Sequence, residues 1–225
     1  MVVRLIVQTV LWFGGMGALL FLSAGTLDWP GAWAFLVEMV GLALVTGLML
    51  ARHDPALLRE RLGPPVQKDQ TAADKVFMSL FLLLFCCWLV FMGLDAVRFA
   101  WSSVPAWIQA LGALSLFLCV WIGYRTMREN SFAAPVVKIQ KDRAQTVIST
   151  GLYSHVRHPM YFGALFFFLG MPLLLGSWWG LAFSAALTVL LCIRILNEEK
   201  TLRSGLAGYD DYAARVRFRL ILRIW

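Results

Sequence analysis

The chain has 225 residues, of which 60% are hydrophobic and 15% charged, with a mean hydropathy of +0.72. A soluble domain carries about 25% charged residues. The composition therefore excludes an ordinary water-soluble globule and a disordered chain, and points to an integral membrane protein. A net charge of +7 would suit a nucleic-acid partner in a soluble protein, but here the basic residues flank apolar runs. Lipid headgroups and membrane topology account for them better, and no nucleic-acid partner is implied.

Six apolar stretches follow in chain order: residues 5–22, 32–51, 76–94, 104–124, 161–175 and 178–196. A spanning helix needs about 20 residues. Residues 5–22 are too long an apolar run for a signal peptide and lack an A-x-A cleavage site, so they read as a span. The stretch 161–175 is short and carries Pro172 near its end, as a tilted half of a hairpin would. Cys86, Cys87, Cys119 and Cys192 all lie in apolar stretches, with neither disulfide nor metal-site spacing.

Nineteen of the twenty Lys and Arg residues fall in alternate connecting segments: Arg4, the 52–75 loop, the 125–158 loop and the segment from Arg194. The opposite side has only Arg98. The positive-inside rule predicts a cytoplasmic location for both termini and both long loops, in the inner membrane if the source is bacterial. The expected architecture is an all-α integral membrane protein with about six membrane segments, the last two forming a helical hairpin. Residues 1–125 form an N-terminal four-helix membrane region. Residues 126–225 form a C-terminal catalytic region of loop, hairpin and amphipathic tail.

Within the 52–75 loop, Asp54 and Pro55 read as an N-cap and first helical residue. They open a short interfacial helix whose Leu57, Leu58 and Leu62 would face lipid, and Gly63, Pro64 and Pro65 would end it. Residues 136–140 and 146–149 alternate weakly, as a small hairpin would. Next come Arg157, His158 and Pro159, just before an apolar run. Pro159 suits a first helical turn. Free amides of that turn beside Arg157 and His158 would form an anion site.

A two-residue turn makes the last two stretches antiparallel, so Arg157, His158 and Tyr161 meet Arg194, Asn197, Glu198 and Glu199. Two adjacent carboxylates at a helix C-terminus oppose the helix dipole, a local conflict that points to function. Their side chains diverge by about 100°, so one faces any given ligand. In the tail, Tyr209, Tyr212 and Arg215 share one helical face. Glu38, well inside a span, would either serve function or hydrogen-bond to Thr26, Ser102 or Ser115.

The combination Gly151-Leu152-Tyr153, Val156-Arg157-His158-Pro159-Met160-Tyr161-Phe162-Gly163, Asn197-Glu198-Glu199 and Gly208-Tyr209 through Arg215 resembles the isoprenylcysteine carboxyl methyltransferase and phospholipid methyltransferase group of integral membrane enzymes. The resemblance covers residues 130–225. It implies a cytoplasmic pocket for S-adenosylmethionine, with S-adenosylhomocysteine as product, and no dinucleotide-type domain. Implied cofactor-binding residues are Tyr153, His158, Pro159, Tyr161, Gly163, Asn197 and Glu198. Implied catalytic residues are Glu198, Glu199, Arg157 and Arg215, the two arginines holding a carboxylate of cofactor or substrate. The partners would be membrane lipids and a lipophilic substrate, with no metal. A membrane sterol-type reductase using NADPH and a non-enzymatic scaffold are the competing readings.

Overall fold

The computed structural model describes residues 1–64, 67, and 70–225. Pro65 and Lys68 lie outside the described residues. The chain is all-helical among them: α1 Val2–Ala24, α2 Pro30–His53, α3 Pro55–Arg61, α4 Ala72–Gly93, α5 Ala106–Glu129, α6 Pro159–Leu175, α7 Gly180–Gly205 and α8 Tyr209–Arg215. A π-helical turn, Leu94–Arg98, extends α4. The weak alternation at 136–149 forms no hairpin. A 3-10 turn at Lys141–Arg143 and otherwise irregular backbone take its place.

Helices α1, α2, α4 with its extension, α5 and α7 are long and apolar enough to cross a membrane, whereas α6 has 17 residues. The shortness of the fifth apolar stretch was legible in sequence. The chain is an integral membrane protein by these helices. Its core joins six helices through Leu20, Phe35, Trp88, Leu116, Met171 and Leu187. Large apolar side chains such as Leu11, Val37, Leu83 and Val189 face outward, as lipid-facing positions do.

Helices α5 and α6 approach backbone to backbone. A Cβ on Gly170 would stand 2.6 Å from Gly112 O, and one on Gly112 2.5 Å from Leu174 N. Small residues permit this approach where no hydrophobic drive separates helix from lipid. Ser115 Oγ donates to Phe166 O at 2.8 Å across the same seam. Gly176, in the left-handed region at φ 85°, turns the chain from α6 toward α7.

At the end of the bundle bearing Arg98, Asp95 is fully buried and accepts from Ser102 Oγ at 2.7 Å and from Ser177 Oγ. Glu38 takes none of its expected partners: Ser102 donates to Asp95, Ser115 to Phe166 O, and Thr26 accepts from Asp28 N.

At the opposite, basic end, Asp54 caps α3 by accepting from Leu57 N at 2.9 Å. Burial raises its pKa, but the Ser131 hydroxyl and the Leu57 amide outweigh this and hold it below the usual value. The expectation that Leu57, Leu58 and Leu62 face lipid is corrected. All three are buried against Leu5 and Leu50, because α3 folds back under α1 and α2. The cysteines are free.

Candidate active site

The site forms where α6 begins and α7 ends. His158 is the N-cap of α6 and Pro159 its first residue, where the missing N–H costs nothing. On α7, Ile195 and Glu199 are buried and Glu198 is half-buried. The hairpin brings these two ends together, as its short turn requires.

Glu198 and Glu199 face different structures. Glu199 Oε1 accepts from Arg157 Nε at 2.6 Å and lies 3.4 Å from His158 Nε2, while Oε2 accepts from Arg219 Nε at 3.1 Å. Glu198 Oε2 accepts from Tyr161 Oη at 2.6 Å and stands 4.0 Å from His158 Nδ1. The rings of His158 and Tyr161 stack at 5.6 Å. The divergence read from helical geometry thus assigns Glu198 to a cleft and Glu199 to the tail.

Beside the first turn of α6, where an anion site was expected, the tail takes the two amides just ahead of the turn and the Arg157 guanidinium. Arg157 N donates to Phe218 O at 2.9 Å and His158 N to Arg219 O at 2.8 Å. Arg157 Nη1 reaches the carbonyls of Ala213, Val216 and Arg217 at 3.3, 2.8 and 3.1 Å. A guanidinium only 6% exposed needs such partners, and their direction makes it a clamp on the tail.

The cleft has a volume of about 970 Å³, including its open mouth. Its lining includes Tyr153, Arg157, His158, Pro159, Tyr161 and Glu198. Tyr209, Tyr212, Leu202 and Leu206 form one wall, and residues of the 132–138 and 145–148 segments the other. Tyr212 Oη donates to Tyr153 O at 2.8 Å, and Asn130 Nδ2 to Tyr153 Oη at 2.8 Å. Tyr209 Oη is buried without a partner. Burial raises the pKa of Tyr153, Tyr209 and Tyr212, so the phenols are neutral at physiological pH.

Besides Glu199, three sequence-selected residues lie outside the cleft lining. Gly163 packs on α5, where a Cβ would meet Ile122 at 3.2 Å. Asn197 borders a separate small cavity with Asp74 and Phe77. Arg215 is exposed at the end of α8. Two residues that hold the cleft's walls were not singled out in the sequence, Asp74 and Arg61. Arg61 Nη1 donates to Ala133 O at 2.9 Å. Asp74 pairs with Arg194 at 3.1 Å. A charged residue in the first turn of an apolar helix is the signal that marks Asp74, but it is shared with ordinary helix N-termini.

Comparison with curated proteins finds no match. A family model described as phospholipid methyltransferase matches residues 107–206. The matched stretch runs from the first turn of α5 to the end of α7, so it contains Arg157, His158, Tyr161, Glu198 and Glu199, while α8 and the tail lie beyond it. Residues 107–206 of this integral membrane protein, 100 of its 225, are thus similar to the phospholipid methyltransferase family.

Proposed function

We propose that the protein transfers a methyl group from S-adenosylmethionine to a lipophilic acceptor, that the cleft holds the donor, and that the basic end of the bundle faces the cytoplasm. One observation supports this reading above others. Glu198 presents a carboxylate to a cleft of about 970 Å³ that also holds the unpartnered phenol of Tyr209. A ligand with a cationic centre, hydroxyl groups and a flat apolar base answers all of these features.

Glu198 would face the positive charge of the donor, and its single hydrogen bond, from Tyr161, leaves it acceptor capacity. Tyr153, Tyr209 and Tyr212 with Leu202 and Leu206 offer the wall for the base. Bound there, S-adenosylmethionine supplies an electrophilic methyl group on a sulfonium. The walls exclude water and hold the acceptor in line, which is the main demand of such a transfer. His158 supplies proton chemistry. With its Nε2–H donated to Glu199, the Nδ1 lone pair points to the Glu198 side and takes a proton from an amine or thiol acceptor. A carboxylate acceptor of the isoprenylcysteine type needs no base.

Calorimetry on detergent-purified protein tests the assignment. S-adenosylhomocysteine should bind and NADP should not. Binding of NADP alone would replace the methyltransferase reading with a reductase. Binding of neither would leave a scaffold. A methyl-donor assay over lipid extracts, with His158→Gln beside the native chain, identifies the acceptor. Loss of rate in His158→Gln with donor affinity retained marks an amine or thiol.

A further inference from the structure

The wall formed by residues 130–148 is a strap with little regular structure. It is tied down by residues that precede the matched region. Lys138 Nζ pairs with Glu60 at 2.7 Å, and Arg61 holds Ala133 O. Val137 N donates to Asp74 Oδ2 at 3.0 Å, and the same oxygen accepts from Gln70 Nε2 at 2.8 Å. Asp74 also stands 3.1 Å from Arg194 Nε.

Arg194 in turn touches both the strap and Tyr161. Its Nη2 donates to Pro135 O in the strap at 2.7 Å. Its guanidinium lies 5.7 Å from the centre of the Tyr161 ring, whose hydroxyl donates to Glu198. It also covers Phe77 at 4.8 Å. The Asp74 side chain is 2% exposed. A buried ion pair is a poor source of stability compared with apolar packing. What this pair adds is placement: one guanidinium sets the position of a strap carbonyl and of an aromatic ring across the cleft, and one carboxylate sets the guanidinium.

We infer that Asp74, outside the matched region, is a positioning residue for the methyl-transfer site. It acts on the Tyr161–Glu198 wall through Arg194 and holds the strap closed through Val137 N. The inference rests on the proposed function for what the cleft binds, but its strap arm is independent of any ligand.

The test uses the full chain in detergent, as Asp74→Asn, Arg194→Gln and the double variant. Three quantities are read: thermal melting, the rate of tryptic cleavage at Lys138, Lys141 and Arg143, and S-adenosylhomocysteine affinity. Asp74→Asn keeps a carbonyl acceptor for Val137 N but loses the charge that orients Arg194. It should fold but melt several degrees below the native chain, because Arg194 loses its charged partner, and well below that melt it should be cleaved in the strap about tenfold faster and bind S-adenosylhomocysteine about tenfold more weakly. The double variant should lose no more than either single one, because both act through one contact. Native strap cleavage and affinity in Asp74→Asn, or losses that multiply in the double variant, would overturn the inference. A native chain that fails to bind S-adenosylhomocysteine defeats the proposed function instead, and strap cleavage then decides the role of Asp74. If Asp74→Asn does not fold, Val137→Pro removes the strap N–H along with the side chain, and unchanged cleavage in that variant overturns the latch.

Discussion

Arg157 and Glu199 lie 42 residues apart in sequence and 2.6 Å apart in the fold, and the remaining contacts of the arginine run to the tail rather than to the cleft. The pair is a clamp joining α6, α7 and residues 213–219. Removing one member leaves the other as a buried charge without its partner, at a cost of about 3–5 kcal/mol. For a chain of this size that is a fall in Tm of about 6–20 °C. Arg157→Ala and Glu199→Gln should both show it, together with faster hydrogen exchange across residues 216–225. Native melting in both variants would remove the clamp.

Glu198 should behave in the opposite way. Its carboxylate is half-buried and takes one hydrogen bond, from Tyr161, so Glu198→Gln should hold its stability within about 0.5 kcal/mol. Loss of a charge-assisted contact to a cationic ligand costs about 2–3 kcal/mol, or about 30- to 150-fold in affinity. Calorimetry with S-adenosylmethionine, whose sulfonium charge S-adenosylhomocysteine lacks, set against melting curves separates the two glutamates. An intact melt with lost affinity in Glu199→Gln, and native affinity in Glu198→Gln, would reverse the assignment.

The helices were legible because hydropathy reports burial in lipid directly, and the hairpin because a two-residue turn admits one arrangement. The divergence of Glu198 and Glu199 followed from 100° per residue, although which of them faced the cleft did not. That was decided by the tail, whose carbonyls at 216–219 fall beside Arg157 through contacts no local pattern encodes. The same tail takes the Arg157 guanidinium and the amides of Arg157 and His158, which local sequence would have left free for an anion. Leu57, Leu58 and Leu62 read as lipid-facing because an amphipathic segment does not state which apolar surface it meets. Asp74 escaped notice for a similar reason, since its role depends on Arg194, more than one hundred residues away.

Arg215 illustrates the reverse error. Its spacing from Tyr209 and Tyr212 placed it on their face, yet it is exposed at the last turn of α8 while both tyrosines are buried. Arg215→Ala should change kcat/KM by less than about twofold and stability by less than about 0.5 kcal/mol. A tenfold loss of kcat/KM at unchanged stability would restore it to the site.

The basic asymmetry makes a further expectation concrete. The ends bearing the cleft and bearing Asp95 are opposite ends of the bundle, and eighteen of the nineteen described Lys and Arg residues belong to the first. Reporter fusions after Trp225 and within residues 99–103 should report opposite sides, with the C-terminus cytoplasmic. A C-terminus on the far side would place the cleft away from a cytosolic methyl donor.

The three tyrosines of the cleft give the site an alkaline limit. Burial is the main cause that raises the pKa of each. For Tyr153 the Asn130 hydrogen bond opposes it, for Tyr209 the nearby Glu199 charge adds to it, and for Tyr212 the Arg157 charge opposes it. A free tyrosine ionises near pH 10. A group whose folded-state pKa lies above its unfolded value contributes stability that is fully present below the unfolded pKa and is lost as pH rises toward the folded one. Melting temperature should therefore show no pH dependence from these phenols up to about pH 10 and should fall above it. Near-ultraviolet absorbance follows the phenolates directly. Tyr153, Tyr209 and Tyr212 should ionise with unfolding, not before it, because Tyr212 must keep its proton to donate to Tyr153 O. Tyr212→Phe removes that bond and should cost about 1 kcal/mol at neutral pH, while making the alkaline fall shallower. Ionisation of all three near pH 10 in protein that still melts as it does at neutral pH would show that the wall of the cleft is open to water.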